Sequence, residues 1–441
     1  MLLEFKAKNY KSFMNEFTFS MVPAPKQKGL DYSILSEEVG NETYKGLCSA
    51  VIYGANASGK TNIIGAIETF KSIIVRGSIR NDTAGSVNAA SGALELIPNN
   101  TLKESSPVTF SIKFIDNGML FEYTLSMDIG LFLEERDKRK IVKELLKINN
   151  RIMFERDEDI QFPSLSYISE YLVNEFEHNK DGAIAIAKNN LDDEELFLMN
   201  GFRTMISSKI TNNMLNWLKE KLMVVYRADS MNVVRRNDSD KNSIYIENKI
   251  SEAAKIFGIS SNELGYINDV DNNESRLCSI FGNEKKATAI PAEIFESYGT
   301  VRFINIFPLV MGALLGGGIL IIDEFDASIH PMALMSVINM FHNDEININN
   351  AQLVFNTHNP VFLNHNIFRR DEIKFVERDD DTHFSTHYSL SDFGTAGTGG
   401  VRKGSDYMKN YFIDRYGAIK DVDFAPIFEN VINKRNEDER K

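Results

Sequence analysis

The chain has 441 residues, of which 43% are hydrophobic and 25% charged, and this balance excludes a disordered or fibrous protein. Its net charge of -13 excludes a surface wholly devoted to non-specific nucleic-acid binding, because such a surface must be basic. The two cysteines, Cys48 and Cys278, fit neither a CxxC nor a zinc-ligand spacing. We therefore predict that both are reduced packing residues of a cytoplasmic protein.

The first part of the chain carries strand and helix signals in turn. Residues 1–22 alternate polar and apolar side chains, which predicts a pair of strands and not a signal peptide. The apolar run 48–53 ends in a glycine-rich turn, and the segment after it has apolar residues at helical spacing. In residues 107–128, two alternating runs flank Asp116-Asn117-Gly118, which predicts a β-hairpin.

A polar stretch then interrupts this pattern. Residues 165–255 are rich in Asn, Glu and Lys and have helical periodicity, so we predict an inserted helical lobe between two parts of one α/β domain, residues 1–164 and 256–441. Short β-rich runs return near residue 290 and are separated by helix-length intervals. Residues 303–322 are uncharged and long enough to span a bilayer, but Gly316-Gly317-Gly318 divides them into a helix and a strand, so we predict no membrane segment.

One complete motif lies between a predicted strand and a predicted helix. Residues 54–61 have the sequence GANASGKT and match GxxxxGK[ST], in which glycines let backbone N–H groups turn toward phosphate oxygens. The positive N-terminal end of the following helix adds to such a site. We predict that Lys60 binds the β- and γ-phosphates of ATP and that Thr61 offers its hydroxyl to Mg²⁺. The predicted nucleotide-binding residues of this segment are Gly54, Asn56, Ala57, Ser58, Gly59, Lys60, Thr61 and Asn62.

A second motif is an apolar strand that ends in two carboxylates. Residues 319–322 are all apolar, as in a strand covered on both faces, and Asp323 and Glu324 come directly after it. We predict that Asp323 binds the metal ion, directly or through water. The adjacent Glu324 is predicted to be the general base that polarises the attacking water.

Together these residues resemble the ABC-type ATPases, and most of all the compact bacterial ATPases related to the structural-maintenance and RecF type. The resemblance rests on the phosphate loop 54–61, on LIIDEFDASIHP at 320–331 and on LVFNTHNP at 353–360. It implies an α/β fold, namely a P-loop NTPase that forms an ABC-type ATPase head with an N-terminal antiparallel β region and an inserted helical lobe. It also implies ATPase activity with ATP and Mg²⁺ as cofactors.

The resemblance implies roles for residues outside these two motifs. Ser297 and Gly299 stand where the family has its signature motif, which binds the γ-phosphate held by the other protomer. His358 matches the family's switch histidine, which contacts the γ-phosphate and the attacking water, so Lys60, Glu324 and His358 are the implied catalytic residues.

Three further features of the family are matched less closely. Residues 326–330 resemble the loop between the two nucleotides, with His330 near the place where many transporter-type relatives have an aspartate. Lys11-Ser12-Phe13 is implied to lie near the adenine and the ribose. No glutamine occupies an obvious place for the family's glutamine loop.

The subgroup that the chain resembles includes ATPase components of overcoming-lysogenization-defect, retron-linked and two-gene phage-defence systems. The segment after His358 is too short for the fused nuclease of the overcoming-lysogenization relatives. We therefore expect a sensor or regulator ATPase of a prokaryotic antiviral defence system. It is expected to act as a homodimer or a higher even oligomer, with a separately encoded effector such as a nuclease.

Two other functions compete with this one. A RecF-like DNA repair ATPase needs a basic track, and this alternative leaves nucleic acid open as a ligand; the insert offers Arg203, Lys209, Lys219, Lys221, Arg235 and Arg236. The cytosolic ATPase of a transporter is disfavoured because the chain has no membrane partner helix and its insert is large. A metal nuclease site is also disfavoured, since we predict that a cluster of acids forms only a solvated charged turn: Asp371, Glu372, Asp379, Asp380 and Asp381.

Overall fold

The computed structural model describes most of the chain, namely residues 1–25, 27, 29–80, 94–132, 134, 139–163, 165–173, 176–226, 244–246, 252–253, 255–256, 262–269, 274–283, 286–395, 400–402, 404–420 and 422–438. The strands described there are, in chain order, β1 Leu2–Lys8, β2 Phe17–Ser20, β3 Ile34–Val39, β4 Glu42–Leu47, β5 Ser49–Tyr53, β6 Val108–Asp116, β7 Met119–Asp128, β8 Lys140–Ile148, β9 Arg151–Arg156, β10 Ile160–Gln161, β11 Leu222–Val225, β12 Ile244–Ile246, β13 Glu263–Asp269, β14 Glu274–Asn283, β15 Lys286–Pro291, β16 Ile319–Ile322, β17 Gln352–Asn356, β18 Ile373–Arg378 and β19 Ser385–Ser389.

The α-helices of the same residues are α1 Lys60–Arg76, α2 Phe176–Asn189, α3 Ser208–Asn216, α4 Ala292–Phe295, α5 Tyr298–Gly316, α6 Pro331–Phe341, α7 Tyr407–Phe412 and α8 Ala425–Asp438. Two segments are π-helical, Leu198–Ile206 and Trp217–Lys221. Short 3₁₀ turns cover Asp31–Ser33, Ser166–Tyr171, Pro360–Phe362 and Leu390–Asp392.

The central sheet has the strand order β11-β16-β17-β5-β18-β19. Its strands are parallel except for β19, which pairs antiparallel with β18. The strands β16, β17 and β5 are buried along their whole length, which explains why each contains a run of consecutive apolar residues. Because these strands are parallel, the segments at their carboxyl ends meet at one edge of the sheet. The predicted α/β architecture is confirmed.

Helix α1 lies between the central sheet and a second sheet. Its buried side chains recur at helical spacing, for example Ile63, Ile67, Phe70 and Ile74. They share one apolar core with residues of both sheets. The core therefore fixes α1, and with it the phosphate loop that precedes the helix.

The second sheet is antiparallel and has the order β10-β9-β8-β7-β6-β1-β2. The predicted strand pair at the N-terminus forms β1 and β2, and the predicted hairpin forms β6 and β7. Asn117 and Gly118 both have positive φ, 48° and 70°, as a two-residue hairpin turn of this handedness requires. This part of the sequence prediction is confirmed.

The helical lobe packs on this second sheet and ends earlier than its periodicity indicates. The indole of Trp217 stacks on the ring of Phe114, with ring centroids 3.9 Å apart.

The segment 202–226, predicted to be helical throughout, is helical only as far as Lys221. Its last residues form β11, which pairs parallel with β16. Four apolar residues are too few for periodicity to distinguish a strand from a helix.

A small antiparallel sheet, β12-β13-β14-β15, lies within residues 244–291 and was not predicted. The predicted helical lobe, residues 165–255, includes β12, and no element was predicted for the residues of β13, β14 and β15, although these strands carry β-branched and aromatic residues. The proposed division of the chain at residues 164 and 255 stays a prediction.

The acidic residues after β17 fall into two groups. Asp379, Asp380 and Asp381 lie in the exposed turn between β18 and β19, as predicted. The prediction of a solvated turn is wrong for Asp371 and Glu372, whose exposed fractions are 1% and 0%. Both precede β18 at the amino end of the central sheet, and the core covers them.

The long apolar segment forms a helix and then a strand, as predicted. Helix α5 is long and apolar enough to cross a membrane, but half of its most apolar stretch is buried inside the fold. A core helix of a water-soluble protein has the same length and composition. Gly317, with a φ of 63°, ends the helix and turns the chain into β16.

The stacking of Trp217 on Phe114 predicts a measurable coupling between the helical lobe and the second sheet. We expect Phe114→Ala to lower the free energy of unfolding by about 3–5 kcal/mol, because it removes a fully buried ring. It should also shift the emission of Trp217, which is the only tryptophan of the chain. Denaturant titration followed by fluorescence measures both effects, and Phe132→Ala, at an exposed phenylalanine, should change neither. Equal effects of the two substitutions would contradict this packing.

Candidate functional site

The phosphate loop has the backbone that its motif requires. Ala57 and Gly59 have positive φ angles of 61° and 113°, and α1 begins immediately after Gly59. A Cβ atom on Gly59 would lie 2.7 Å from the hydroxyl of Ser385 and 2.8 Å from that of Ser12. Only glycine therefore fits this position, for both its conformation and its space.

Two serines from distant parts of the chain contact the loop and the start of α1, Ser12 in the turn after β1 and Ser385 in β19. The Ser385 hydroxyl lies 2.6 Å from the carbonyl oxygen of Ser58 and 2.7 Å from the hydroxyl of Ser12. The side-chain amide of Asn62 donates to the Ser12 hydroxyl over 2.8 Å. Ser12, in the segment expected near adenine and ribose, thus contacts the start of α1. Ser385 is a residue that the sequence analysis missed.

Lys60 lies inside the loop and is 6% exposed. Its ammonium group donates to the carbonyl oxygens of Gly54 and Ala55, each over 2.9 Å. Burial lowers the pKa of Lys60 to about 8, although the nearby carboxylates of Asp323 and Glu324 act in the opposite direction. At pH 7 the group therefore carries the positive charge that a phosphate chain needs.

Hydrogen bonds join the start of α1 and the ends of β16 and β17 at Asp323. The Thr61 hydroxyl donates to Oδ1 of Asp323 over 3.0 Å, and the side-chain amide of Asn356 donates to the same oxygen. The Asn356 amide oxygen in turn accepts from the backbone N–H of Glu324. Asn356, at the end of β17, was not among the predicted site residues, but it fixes the position of both acids.

The Thr61 and Asp323 oxygens suit a magnesium ion. Mg²⁺ binds oxygen ligands at about 2.0–2.1 Å in an octahedron, so adjacent ligand oxygens are about 3 Å apart. The separation of 3.0 Å between these two oxygens matches that value. The donor set thus agrees with the prediction that Thr61 and Asp323 are the metal ligands.

Glu324 stands in a strained backbone conformation. Its φ is 52°, in the left-handed region, where residues with a Cβ are uncommon. Its carbonyl oxygen accepts a hydrogen bond from the guanidinium of Arg302 in α5. Such strain is found where function requires a side chain to point in a particular direction. Here it accompanies a carboxylate that lines the cavity of the phosphate loop.

That cavity has a volume of about 300 Å³ and brings the predicted catalytic residues together. His358, which comes after β17, lines this cavity together with Lys60 and Glu324. Partial burial and the positive charge of Lys60 lower the pKa of His358, so its ring is neutral at pH 7. The complete lining is Asn56, Ala57, Ser58, Gly59, Lys60, Thr61, Asn62, Glu324, Asn356, His358 and Arg378.

Ser297 and Gly299 do not line this cavity. The Ser297 side chain caps α5, since its hydroxyl accepts from the backbone N–H of Thr300 over 3.2 Å. A Cβ on Gly299 would collide with the carbonyl oxygen of Ser328, so the start of α5 packs directly on the loop after Glu324. The predicted signature therefore lies beside the predicted interface loop and apart from the phosphate cavity of its own chain.

His330 closes the interface loop and begins α6. Its Nδ1 accepts from the backbone N–H of Met332 over 3.2 Å, and Pro331 occupies the first helical position. In this chain the residue is thus an N-cap, which asparagine or aspartate could equally supply. This contact accounts for a polar residue at this position.

Arg378 is a third residue of the site, after Ser385 and Asn356, that the sequence did not predict. It ends β18, and its Nε donates to the carbonyl oxygen of His383 over 2.9 Å. It lines the phosphate cavity and also an adjoining cavity of about 370 Å³, which includes Ala55, Lys420 and the turn after β18. A guanidinium at this place adds positive charge beside the loop.

The model of a protein family described as "AAA domain, putative AbiEii toxin, Type IV TA system" matches residues 49–364. A search of curated proteins finds no match to the chain. Among solved structures the chain is similar to the "SMC head domain from Thermotoga maritima", with 12% sequence identity over 88% of this chain and 98% of that chain. The TM-score of 0.34 is too low for this likeness to indicate a function.

The strain at Glu324 predicts an unusual effect of one substitution on stability. We expect Glu324→Gly to leave the free energy of unfolding unchanged or to raise it by up to about 1 kcal/mol, because glycine adopts positive φ without strain. Thermal or denaturant unfolding measures this change. Glu345→Gly, at an exposed turn residue without positive φ, is the matched control and should lower stability. If Glu324→Gly lowered the free energy of unfolding as much as Glu345→Gly does, the backbone at Glu324 would not be strained.

Proposed function

The chain belongs to the family of AAA domains described as "AAA domain, putative AbiEii toxin, Type IV TA system", and we propose that it is an ATP-hydrolysing switch whose two copies close around two ATP molecules. One observation carries the proposal. The phosphate loop, Glu324 and His358 come after three adjacent parallel strands and line one cavity, and Asp323 contacts Thr61 of its lining. Ligands of open α/β sheets bind at such an edge.

Each group has a distinct part in hydrolysis. The backbone N–H groups of the loop and the ammonium of Lys60 bind the phosphate chain. Thr61 and Asp323 would hold Mg²⁺, which would neutralise charge on the phosphates. Glu324 accepts a proton from the attacking water, and the neutral ring of His358 orients that water or the γ-phosphate. No covalent intermediate with the protein is needed.

A second copy of the chain completes the site in this proposal. Ser297 lies outside the cavity of its own chain, so it can bind a γ-phosphate only across an interface. Apolar side chains are exposed around the same face: Tyr298 opens α5, Met332 lies just after the interface loop and Val361 just after His358. Exposed apolar groups around a polar site indicate a surface that another molecule covers. The γ-phosphate would then be the group that holds two copies together, and its loss would release them.

We propose a biological role for this ATPase in antiviral defence, without naming its partner. The family description names a toxin of a type IV TA system, and this agrees with a chain that acts with a separately encoded partner in antiviral defence. The RecF-like alternative is weakened by local contacts of the insert. The ammonium of Lys221 pairs with Asp116 over 2.6 Å, and that of Lys209 donates to the carbonyl oxygen of Glu170 over 3.0 Å. Arg235 and Arg236 lie outside the described residues.

The central test is the mass in solution of Glu324→Gln with and without MgATP. Glutamine keeps the size of the side chain but cannot accept the proton, so ATP should bind and persist. We expect light scattering to give twice the mass of the 50.0 kDa chain with MgATP and a smaller species without it.

Two control variants make this test specific. Glu345→Gln, which changes an exposed glutamate of the same type, should behave like the unchanged protein. Lys60→Ala should stay in the smaller form because it loses a phosphate-binding charge. A Glu324→Gln protein that binds ATP and stays monomeric would rule out the shared interface.

The pKa shifts predict the pH dependence of kcat/KM for ATP. Partial burial and the charge of Lys60 lower the pKa of His358 from the usual histidine value of 6.5, so the decline in rate on the acidic side should lie below that pH. The pKa of Lys60, about 8, should make the rate fall above that pH as the phosphate-binding charge is lost. Steady-state kinetics between about pH 5 and pH 10 measure both declines, the acidic limb and the basic limb of the profile.

The variant His358→Gln assigns the acidic limb. Glutamine does not titrate, so this variant should be slower and should lack the decline at low pH. His330→Gln is the matched control, because His330 caps α6 and does not line the cavity, and it should keep both limbs. An acidic limb that survives in His358→Gln would assign it to another group.

A further inference from the structure

Three potential metal ligands converge at the edge of the central sheet opposite the phosphate loop. Cys48 directly precedes β5, His342 comes directly after α6, and Glu372 directly precedes β18. Their ligand atoms all lie within 4.8 Å of one another, and all three residues are buried. Among the described residues this is the one such group of three or more histidine, cysteine or acidic side chains.

The distances suit a tetrahedral metal ion. Oε1 of Glu372 lies 3.4 Å from Nε2 of His342 and 3.9 Å from Sγ of Cys48. Zinc binds sulfur at about 2.3 Å and nitrogen or oxygen at about 2.0 Å, so adjacent ligands of a tetrahedral site are about 3.3–3.7 Å apart. The first separation already has such a value, and a shift of a few tenths of an ångström would bring the second to it; Sγ of Cys48 and a ring nitrogen of His342 lie within 4.8 Å of each other.

A fourth oxygen lies beside the three ligands. The Ser49 hydroxyl is 2.8 Å from Nε2 of His342 and 2.6 Å from Oε1 of Glu372. The ring of Tyr32 packs on the imidazole, with centroids 5.5 Å apart, and covers it from the outside. The cluster is therefore closed, as structural metal sites are, and has no open face for a substrate.

The charges of the cluster also favour a cation. Glu372 is fully buried, and within the described part of the chain its ion-pair partner is His342. The nearby guanidinium of Arg369 pairs with Asp371 instead, over 2.9 Å. A divalent cation together with one thiolate and one carboxylate would be neutral overall, so the occupied cluster would bury no net charge.

We propose that Cys48, His342 and Glu372 bind a divalent transition-metal ion, with Zn²⁺ as the first candidate, that holds the starts of β5 and β18 to the end of α6. A thiolate and an imidazole select borderline-soft ions such as Zn²⁺ over Mg²⁺ or Ca²⁺. The proposal is independent of the ATPase function, because the site lies at the opposite end of β5 from the phosphate loop.

The other chemical role open to Cys48 is disfavoured by its surroundings. Burial raises the pKa of its thiol well above the usual value, so the free side chain is protonated and a poor nucleophile. The thiol becomes a thiolate only when a metal ion displaces its proton.

The test uses the full chain, freed of metal by a chelator, and Co²⁺ alone as a spectroscopic substitute for Zn²⁺. We expect one equivalent of Co²⁺ per chain after gel filtration and the near-ultraviolet charge-transfer band of a cobalt–thiolate bond. Zn²⁺ should displace Co²⁺ and raise the temperature of thermal unfolding, because an ion that binds only the folded state stabilises it.

Variants assign the band to these residues. Cys278→Ser changes the other buried free cysteine and should keep both the stoichiometry and the band. Cys48→Ser should lose the band. His342→Ala should weaken Co²⁺ binding by more than about 100-fold. Because His342 is the most exposed of the three residues, this variant still tests the proposal if Cys48→Ser does not fold. A chain that retains no Co²⁺, or a band that persists in Cys48→Ser and disappears in Cys278→Ser, would overturn the proposal.

Discussion

A single buried carboxylate, that of Asp323, holds together the edge of the sheet on which the rest of the site depends. It accepts hydrogen bonds from Thr61, at the start of α1, and from Asn356, at the end of β17. Asn356 also binds the backbone of Glu324. The start of α1 and the ends of β16 and β17 thus meet at this carboxylate, next to the positive φ of Glu324. These hydrogen bonds connect the residue after the phosphate-loop lysine to the backbone of the catalytic carboxylate, so they set the separation between the two.

The parts of the site that could be predicted are those in which local sequence determines local structure. The phosphate loop and Asp323-Glu324 are contiguous and come directly after runs of buried apolar residues. In a parallel sheet such runs place the loops at their carboxyl ends along one edge, so the convergence of these loops can be deduced from pattern alone. The hairpin at Asn117-Gly118 was predictable for the same reason, since its turn residues have only one common geometry.

The features that could not be predicted depend on contacts between distant segments. Ser385 meets Ser58 from 327 residues further along the chain, and no local pattern distinguishes it from other serines. Asp371 and Glu372 have the sequence of a solvated turn, but the fold buries them against partners that a sequence does not reveal. Cys48 and His342 likewise have no metal-ligand spacing, because only the fold brings β5 and α6 together. The strand β11 was missed because four residues carry too little periodicity.

The most direct test of a site shared by two copies is a mixing experiment. Lys60→Ala disables the phosphate loop of its own chain, and Ser297→Arg disables the signature that it offers to a partner. Each protein alone should be inactive, but their equimolar mixture should regain about a quarter of the unchanged activity, because half of the dimers contain one intact site. A mixture of Lys60→Ala with Glu324→Gln should stay inactive, since both changes affect the site of their own chain. If the first mixture is as inactive as its components, Ser297 does not act across an interface, and each chain hydrolyses ATP alone or not at all.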